Sequence, residues 1–327
     1  MALSQMEVFN TFFMPAIIET LGQQIERFNE ASGGTIILST EGFDGDFRQE
    51  SFYKAIHSAR RRVDRYAAQA SASATDLTQD KNVGVKIAGG FGPIRYEPSQ
   101  MTWLQKPTAE GIEVASRNFA EALLQDQLNT AIAALVAAIG NNSAVTSAGA
   151  GDMTYTRINA AHALFGDRSS DIAANVMSGA CYHQFIAQNL GNTERLFMYG
   201  AVQVVDILGK RVVVTDAPAL TIPAVPADPG PAADARHRVL GLVPNAAIVD
   251  NAGDVISNIE TTNGQTRIET TMQVDYTFGL RLKGYAWDIA NGGKSPDDAA
   301  IATGSNWDKV ATDNKHTAGV LAVGDFA

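Results

Sequence analysis

The sequence predicts an α+β fold built on one long helix and several strands. Three observations carry this. An apolar stripe with helical spacing runs through residues 108–140. Segments rich in β-branched residues gather in the second half, at 209–215, 239–243, 246–249 and 266–282. The order is helix, strands, long helix, helices, strands; it lacks the β-α-β-α alternation of a doubly wound parallel sheet.

Residues 4–30 read as the first helix. Met6, Phe9, Phe13, Ile17, Leu21, Ile25 and Phe28 recur every three or four positions, the spacing of one helix face. Ser4 with Glu7 forms a capping-box pattern, Pro15 predicts a kink, and Ser32-Gly33-Gly34 ends the run. Thr35-Ile36-Ile37-Leu38 predicts a short strand. Residues 41–70 carry Phe43, Phe47, Phe52, Tyr53 and Ile56, then the basic cluster Arg60, Arg61, Arg62 and Arg65. That cluster suits a solvated helix face, a contact with carboxylates of another subunit, or DNA.

Helical periodicity stops over 71–106. Val83-Gly84-Val85-Lys86-Ile87 alternates as strands do, and Gly89-Gly90-Phe91-Gly92-Pro93 predicts a turn. Phe91, Trp103 and Leu104 are apolar groups on an excursion unlikely to bury itself, so they are candidate contacts with a partner. The long helix follows. Ile112, Ala115, Phe119, Leu123, Leu128, Leu135 and Ile139 trace its stripe, Pro107-Thr108 open it, and Gly140-Asn141-Asn142 close it. Residues 152–207 read as mainly helical, over 155–165 and 171–189. Residues 216–235 hold five of the eleven prolines and predict an exposed loop. The tail, 283–327, reads as loop with Trp287 and Trp307 as anchors. No internal repeat is visible.

Composition narrows the function. The 327 residues are 45% hydrophobic and only 18% charged, with a net charge of −10. Such a chain can bury a core, while its few charges suit a surface that meets protein. An acidic chain does not grip phosphates with its whole surface. A single cysteine, Cys181, excludes an intramolecular disulfide and a cysteine-cluster zinc site. The N-terminus lacks a signal-peptide pattern. The longest apolar run, near 131–139, is about nine residues against the ~20 of a membrane span. A soluble, cytoplasmically made chain is the expectation.

The search for chemistry returns little. No Gly-x-Ser-x-Gly elbow exists. Gly292-Gly293-Lys294-Ser295 lacks the first glycine of a phosphate loop, and Gly149-Ala150-Gly151-Asp152 lacks the third glycine of a dinucleotide fingerprint. His57, His162, His183, His237 and His316 are scattered, with no pair at metal-ligand spacing. Cys181, beside Val176, Met177 and Phe185, reads as a buried thiol. No catalytic, cofactor or metal residue is expected.

From about residue 155 the chain resembles the major capsid proteins of tailed double-stranded DNA bacteriophages. Ala160-Ala161-His162-Ala163-Leu164-Phe165-Gly166-Asp167 and the run Ile172-Ala173-Ala174-Asn175-Val176-Met177-Ser178-Gly179-Ala180-Cys181-Tyr182 resemble the family's helix, Leu-Gly-Asp, helix passage, without its usual histidine. Leu208-Gly209-Lys210-Arg211-Val212-Val213-Val214 is similar to a family strand, with Arg211 in place of proline. Gly284-Tyr285-Ala286-Trp287 and Asn306-Trp307-Asp308-Lys309-Val310 with Lys315 resemble the family's ending. Gly92-Pro93-Ile94 and the helix over 108–140 fit its extended loop and spine helix. Residues 1–75 show no such likeness, so the element order there can differ from the usual one.

The resemblance implies the Hong Kong phage-type capsid fold: a peripheral domain with a spine helix on a β-sheet, an axial domain and an extended loop. It implies N-terminal helices at 1–75, the extended arm at 76–106, the spine helix at 107–140, an axial domain with the Pro-rich loop at 141–238, and peripheral strands and tail at 239–327. It implies a non-catalytic coat protein without cofactors, whose copies form pentamers and hexamers of a virion shell around double-stranded DNA. Assembly in the host bacterial cytoplasm follows, with decoration, scaffolding and portal proteins as further partners. Arg60, Arg61, Arg62 and Arg65 would then pair with a neighbour's carboxylates. An encapsulin-type compartment and a soluble α+β enzyme are the alternatives.

Overall fold

The computed structural model describes residues 29–30, 32–39, 42–54, 59–69, 71, 74, 76–96, 109–190, 209–224, 235–263, 266 and 269–326. The helix expected at 4–30 lies outside them except for Asn29 and Glu30, which are helical. Its predicted stop is real. Gly33 and Gly34 take φ of 65° and 71°, and their amides donate to the carbonyls of Glu30 and Asn29. A left-handed pair of this kind costs glycine little and closes a helix end.

Two sheets share one long helix. The first has seven strands: β1 (Ile36–Ser39), β2 (Phe47–Tyr53), β3 (Gln79–Tyr96), β9 (Ala247–Thr262), β10 (Glu269–Leu282), β11 (Tyr285–Trp287) and β12 (Trp307–Lys309). Its main path runs β1-β9-β10-β11-β12, while β3 also pairs with β10 and β2 with β3. Among the described residues of this sheet only β1–β9 is parallel. The second sheet has six strands: β4 (Thr146–Asp152), β5 (Ala174–Met177), β6 (Arg211–Val214), β7 (Thr221–Ile222), β8 (Arg236–Leu242) and β13 (Gly319–Asp325). Its path is β4-β13-β8-β5-β6, with β7 on β8.

Helix α1 spans Ala109–Asn141, about 50 Å at 1.5 Å per residue. It touches β9 and β10 of one sheet and β13 of the other. Leu123, Ala131, Ile132, Ala134, Leu135, Ala138 and Ile139 are buried in the shared core. Residues 117–141 are long and apolar enough to cross a membrane by composition alone, but most of that stretch is buried inside the fold. Its stretch 131–139 is apolar all round because protein surrounds it.

The further helices bounded among the described residues are short: α2 (Tyr155–Ala163), α3 (Gly179–Leu190), α4 (Ile289–Gly292) and α5 (Asp298–Ile301). Thr154 caps α2, and Asp288 and Asp297 cap α4 and α5. The tail is anchored as the tryptophans predict. Trp287 and Trp307 are buried and meet edge to face at 4.9 Å. Their indole N–H groups donate to the carbonyls of Gly293 and Ile301.

Several local expectations are corrected. The Arg cluster follows strand β2, not a helix; the chain at 60–69 is irregular. The turn expected at 89–93 lies inside β3. There, Tyr276 of β10 pairs with Gly89, and its ring occupies the space a Cβ on Gly89 would need. Cross-strand packing therefore outweighs the glycine turn signal. The helix expected at 171–189 starts at Gly179, because Ala174–Met177 is a strand buried at every position between β6 and β8. The loop-like tail contains β13, buried from Gly319 to Gly324, in the middle of the second sheet. That sheet draws strands from both sides of residue 238, which itself lies within β8.

Candidate assembly surfaces

Strands β2 and β3 pair antiparallel from Phe47↔Val85 to Tyr53↔Gln79, forming a two-stranded ribbon. The 54–78 segment joins its ends. Lys54 and Asp80, 2.8 Å apart, tie the strands together at its base. Every described residue from 59 to 79 is exposed. Arg60, Arg61, Arg62 and Arg65 lie here, and among the described residues none of them forms an ion pair. Segment 54–78 carries five basic side chains against two acidic ones, on a chain of net charge −10.

The same segment exposes apolar surface. Tyr66 is 93% exposed, Val63 68% and Leu77 56%, with Tyr53 at the ribbon's end also exposed. Sequence reasoning missed these three neighbours of the arginines. The available signal was the small-residue run from Ala67 to Thr75, which offers no stripe that could bury a helix. Of the arm expected at 76–106, residues 76–96 are described and run mostly in β3, and 97–106 lie outside the described residues.

The other candidate contacts separate. Phe91 is half-buried between Phe119 of α1 and Tyr276 of β10, at 5.5 Å from each ring. It is engaged within the chain. Trp103 and Leu104 lie outside the described residues. A second projecting feature is the β9–β10 hairpin, which exposes Ile256. Pairing of β9 with β1 ends at Asp250.

Among the described residues no group of three or more His, Cys, Asp or Glu side chains could hold a metal. Burial pushes the Cys181 thiol up to about 12, which makes a poor nucleophile at neutral pH. Ser178 Oγ and His237 Nδ1 are 3.5 Å apart, but both side chains are buried. The Ser178 hydroxyl instead accepts from the Cys181 amide, inside the first turn of α3.

Two clefts exist. One, of about 550 Å³, lies between α1 and the second sheet, beside Val136, Ala137, Arg236, Arg238 and Leu321. Its arginines are committed: Arg236 to Asp325 and the Gly149 carbonyl, Arg238 to the Ala219 carbonyl. The other, of about 380 Å³, lies at the ribbon's base beside Glu50, Phe52, Asn82, Gly284 and His316.

The family model described as Gp13-like, major capsid protein 13-like, matches residues 5–321. No curated protein matches. Among solved structures, the chain is similar to the capsid asymmetric unit of cyanophage Pam1 (11% identity, 89% of this chain and 88% of that one, TM-score 0.49). It is also similar to the acid-stable capsid of Helicobacter pylori bacteriophage KHP30 (10%, 89% and 87%, 0.49) and to Mycobacterium phage Bobi (12%, 88% and 88%, 0.49).

Proposed function

Since the chain belongs to the Gp13-like major capsid protein family, and so forms capsids as a structural protein of the virion, we propose that its copies join head to tail through the basic 54–78 arm. Pentamers and hexamers built this way close an icosahedral head around double-stranded DNA in the host bacterial cytoplasm. The family match over 5–321 is the observation that carries the capsid role, and it leaves the compartment-shell and soluble-enzyme readings without support.

The arm supports the finer reading. Rings of five and six need heterologous contacts, in which one surface meets a different one on the next copy. A basic, partly apolar arm on an acidic body supplies two unlike surfaces. Arginine forks bind carboxylates in pairs of hydrogen bonds, and Val63, Tyr66 and Leu77 would lose their exposed area at the contact. A net charge of −10 suits a wall that encloses DNA without gripping it. Decoration, scaffolding and portal proteins complete the partner set of this reading.

Negative-stain microscopy with light scattering on the purified chain tests it. Closed shells, tubes or capsomer rings are expected, and nuclease-protected contents distinguish a DNA head from a protein compartment. Replacing Arg60, Arg61, Arg62 and Arg65 by Glu should abolish particles while the monomer's melting curve stays in place. Normal particles from that variant would refute the arm contact.

A further inference from the structure

The backbone hydrogen bonds between the ribbon and the body end at Leu280↔Val85. Beyond that pair β3 continues to Gln79 with backbone pairing to β2 alone, while it packs against β11 and Asn82 Nδ2 donates to the Leu282 carbonyl at 3.5 Å. A two-stranded ribbon twists easily, so its direction needs support from side chains. Beside the Asn82–Leu282 bond, a row of charges supplies it. Asp250 of β9, with no exposed side-chain surface, accepts from Arg281 of β10 twice: Nε to Oδ2 at 2.8 Å and Nη2 to Oδ1 at 3.1 Å. The third guanidinium nitrogen, Nη1, crosses to Glu50 Oε1 of β2 at 2.7 Å. Arg48 of β2 reaches back, with Nε 3.3 Å from Glu50 and Nη1 3.7 Å from Asp250.

This row spans four strands, and β3 lies in its path. Gly84 is where Arg281 passes. A Cβ on Gly84 would sit 2.4 Å from Arg281 Cγ, closer than two carbons can approach. The glycine is therefore a window through which a body residue holds the ribbon's far strand. The 380 Å³ cleft lies against the same strands, with Glu50, Phe52 and Asn82 among its lining residues.

We infer that Arg281 is a positioning residue for assembly: anchored by Asp250 and passing over Gly84, it holds Glu50 and Arg48 and so sets the angle at which the arm leaves the body. The bracket is a property of the single chain; its consequence for shells rests on the arm contact proposed above.

The test measures the angle before any shell forms. Spin labels are placed on Lys81→Cys in the ribbon and Ser305→Cys in the body, both exposed positions. Cys181 is buried and stays unlabelled. Pulsed electron spin resonance should give one narrow distance distribution in this parent. Gly84→Ala, and separately the pair Arg48→Met with Glu50→Gln, should shift it or widen it about twofold, as loss of a fixed contact frees a local element. Breaking the ribbon's internal tie with Lys54→Met should leave the distribution in place. If Gly84→Ala fails to fold, the β2 pair decides, because it leaves Asp250–Arg281 intact. An unchanged distribution in the folded β2 variant overturns the inference. Microscopy of the same variants tests the arm contact apart from it: a widened distribution with normal shells would keep the bracket and sink the contact.

Discussion

Asp250 illustrates how the chain accommodates a buried carboxylate. Its partner Arg281 is also largely buried and meets it with two parallel hydrogen bonds, the geometry that offsets desolvation best. Asp250→Asn would leave Arg281 without that charge. A loss of about 3 kcal/mol is expected from the usual cost of breaking such a pair, read by urea denaturation. Two buried histidines make an opposite statement. Burial pushes the ring pKa of His162 down, against a 2.9 Å hydrogen bond to Asn175 that opposes it, and burial pushes His237 down as well. Both are therefore held neutral in the fold while the unfolded chain still protonates near 6.5. The unfolded state then binds more protons as pH falls below about 6.5, so stability falls with it. Melting midpoints at pH 7 and 5 should differ, and His237→Asn should narrow the gap. An equal gap in that variant would remove His237 from the account. Neither histidine's role was visible in sequence, since spacing reports metal motifs and is silent on burial.

At the scale of elements, α1 was the most legible feature, because its 33 residues repeat one signal many times. Leu135 and Ile139 at its buried end touch no water. Leu135→Ala should cost roughly 2–5 kcal/mol, the range for emptying a packed leucine site; a change under half a kilocalorie would mean the helix is not the shared core. Short strands were harder. Residues 171–189 read as one helix because four residues are too few to show a period, and only pairing with β6 and β8 selects the strand at Ala174–Met177. The β3 glycines misled for the same reason: Tyr276 covers Gly89 from the neighbouring strand. Gly279 shows it again, with the Phe43 ring lying where a Cβ would stand. Gly279→Ala should expel Phe43 and lower the melting midpoint, and an unshifted midpoint would show that the ring can move aside freely.

At the scale of the whole molecule, charge is divided unevenly. The arm is basic and the body acidic, so association through the arm should weaken with salt as exposed charges are screened over a Debye length of about 10 Å at 0.1 M. Light scattering across a salt series would register this; salt-independent association would point to apolar contacts as the main attraction. The sequence alone determined the α+β class, the spine helix, the tryptophan anchors and the capsid resemblance, because each rests on a periodicity or an ordered set of motifs held in neighbouring residues. It also marked the four arginines as contact candidates. Only the tertiary structure decided that these arginines crown a two-stranded ribbon, that Phe91 packs beside Phe119 and Tyr276, and that β13 fills the second sheet. The reason is physical: pairing partners such as Val85 and Leu280, or Leu321 and Leu240, are far apart in the chain. Which strand lies beside which depends on what the fold buries, a choice no local stretch records.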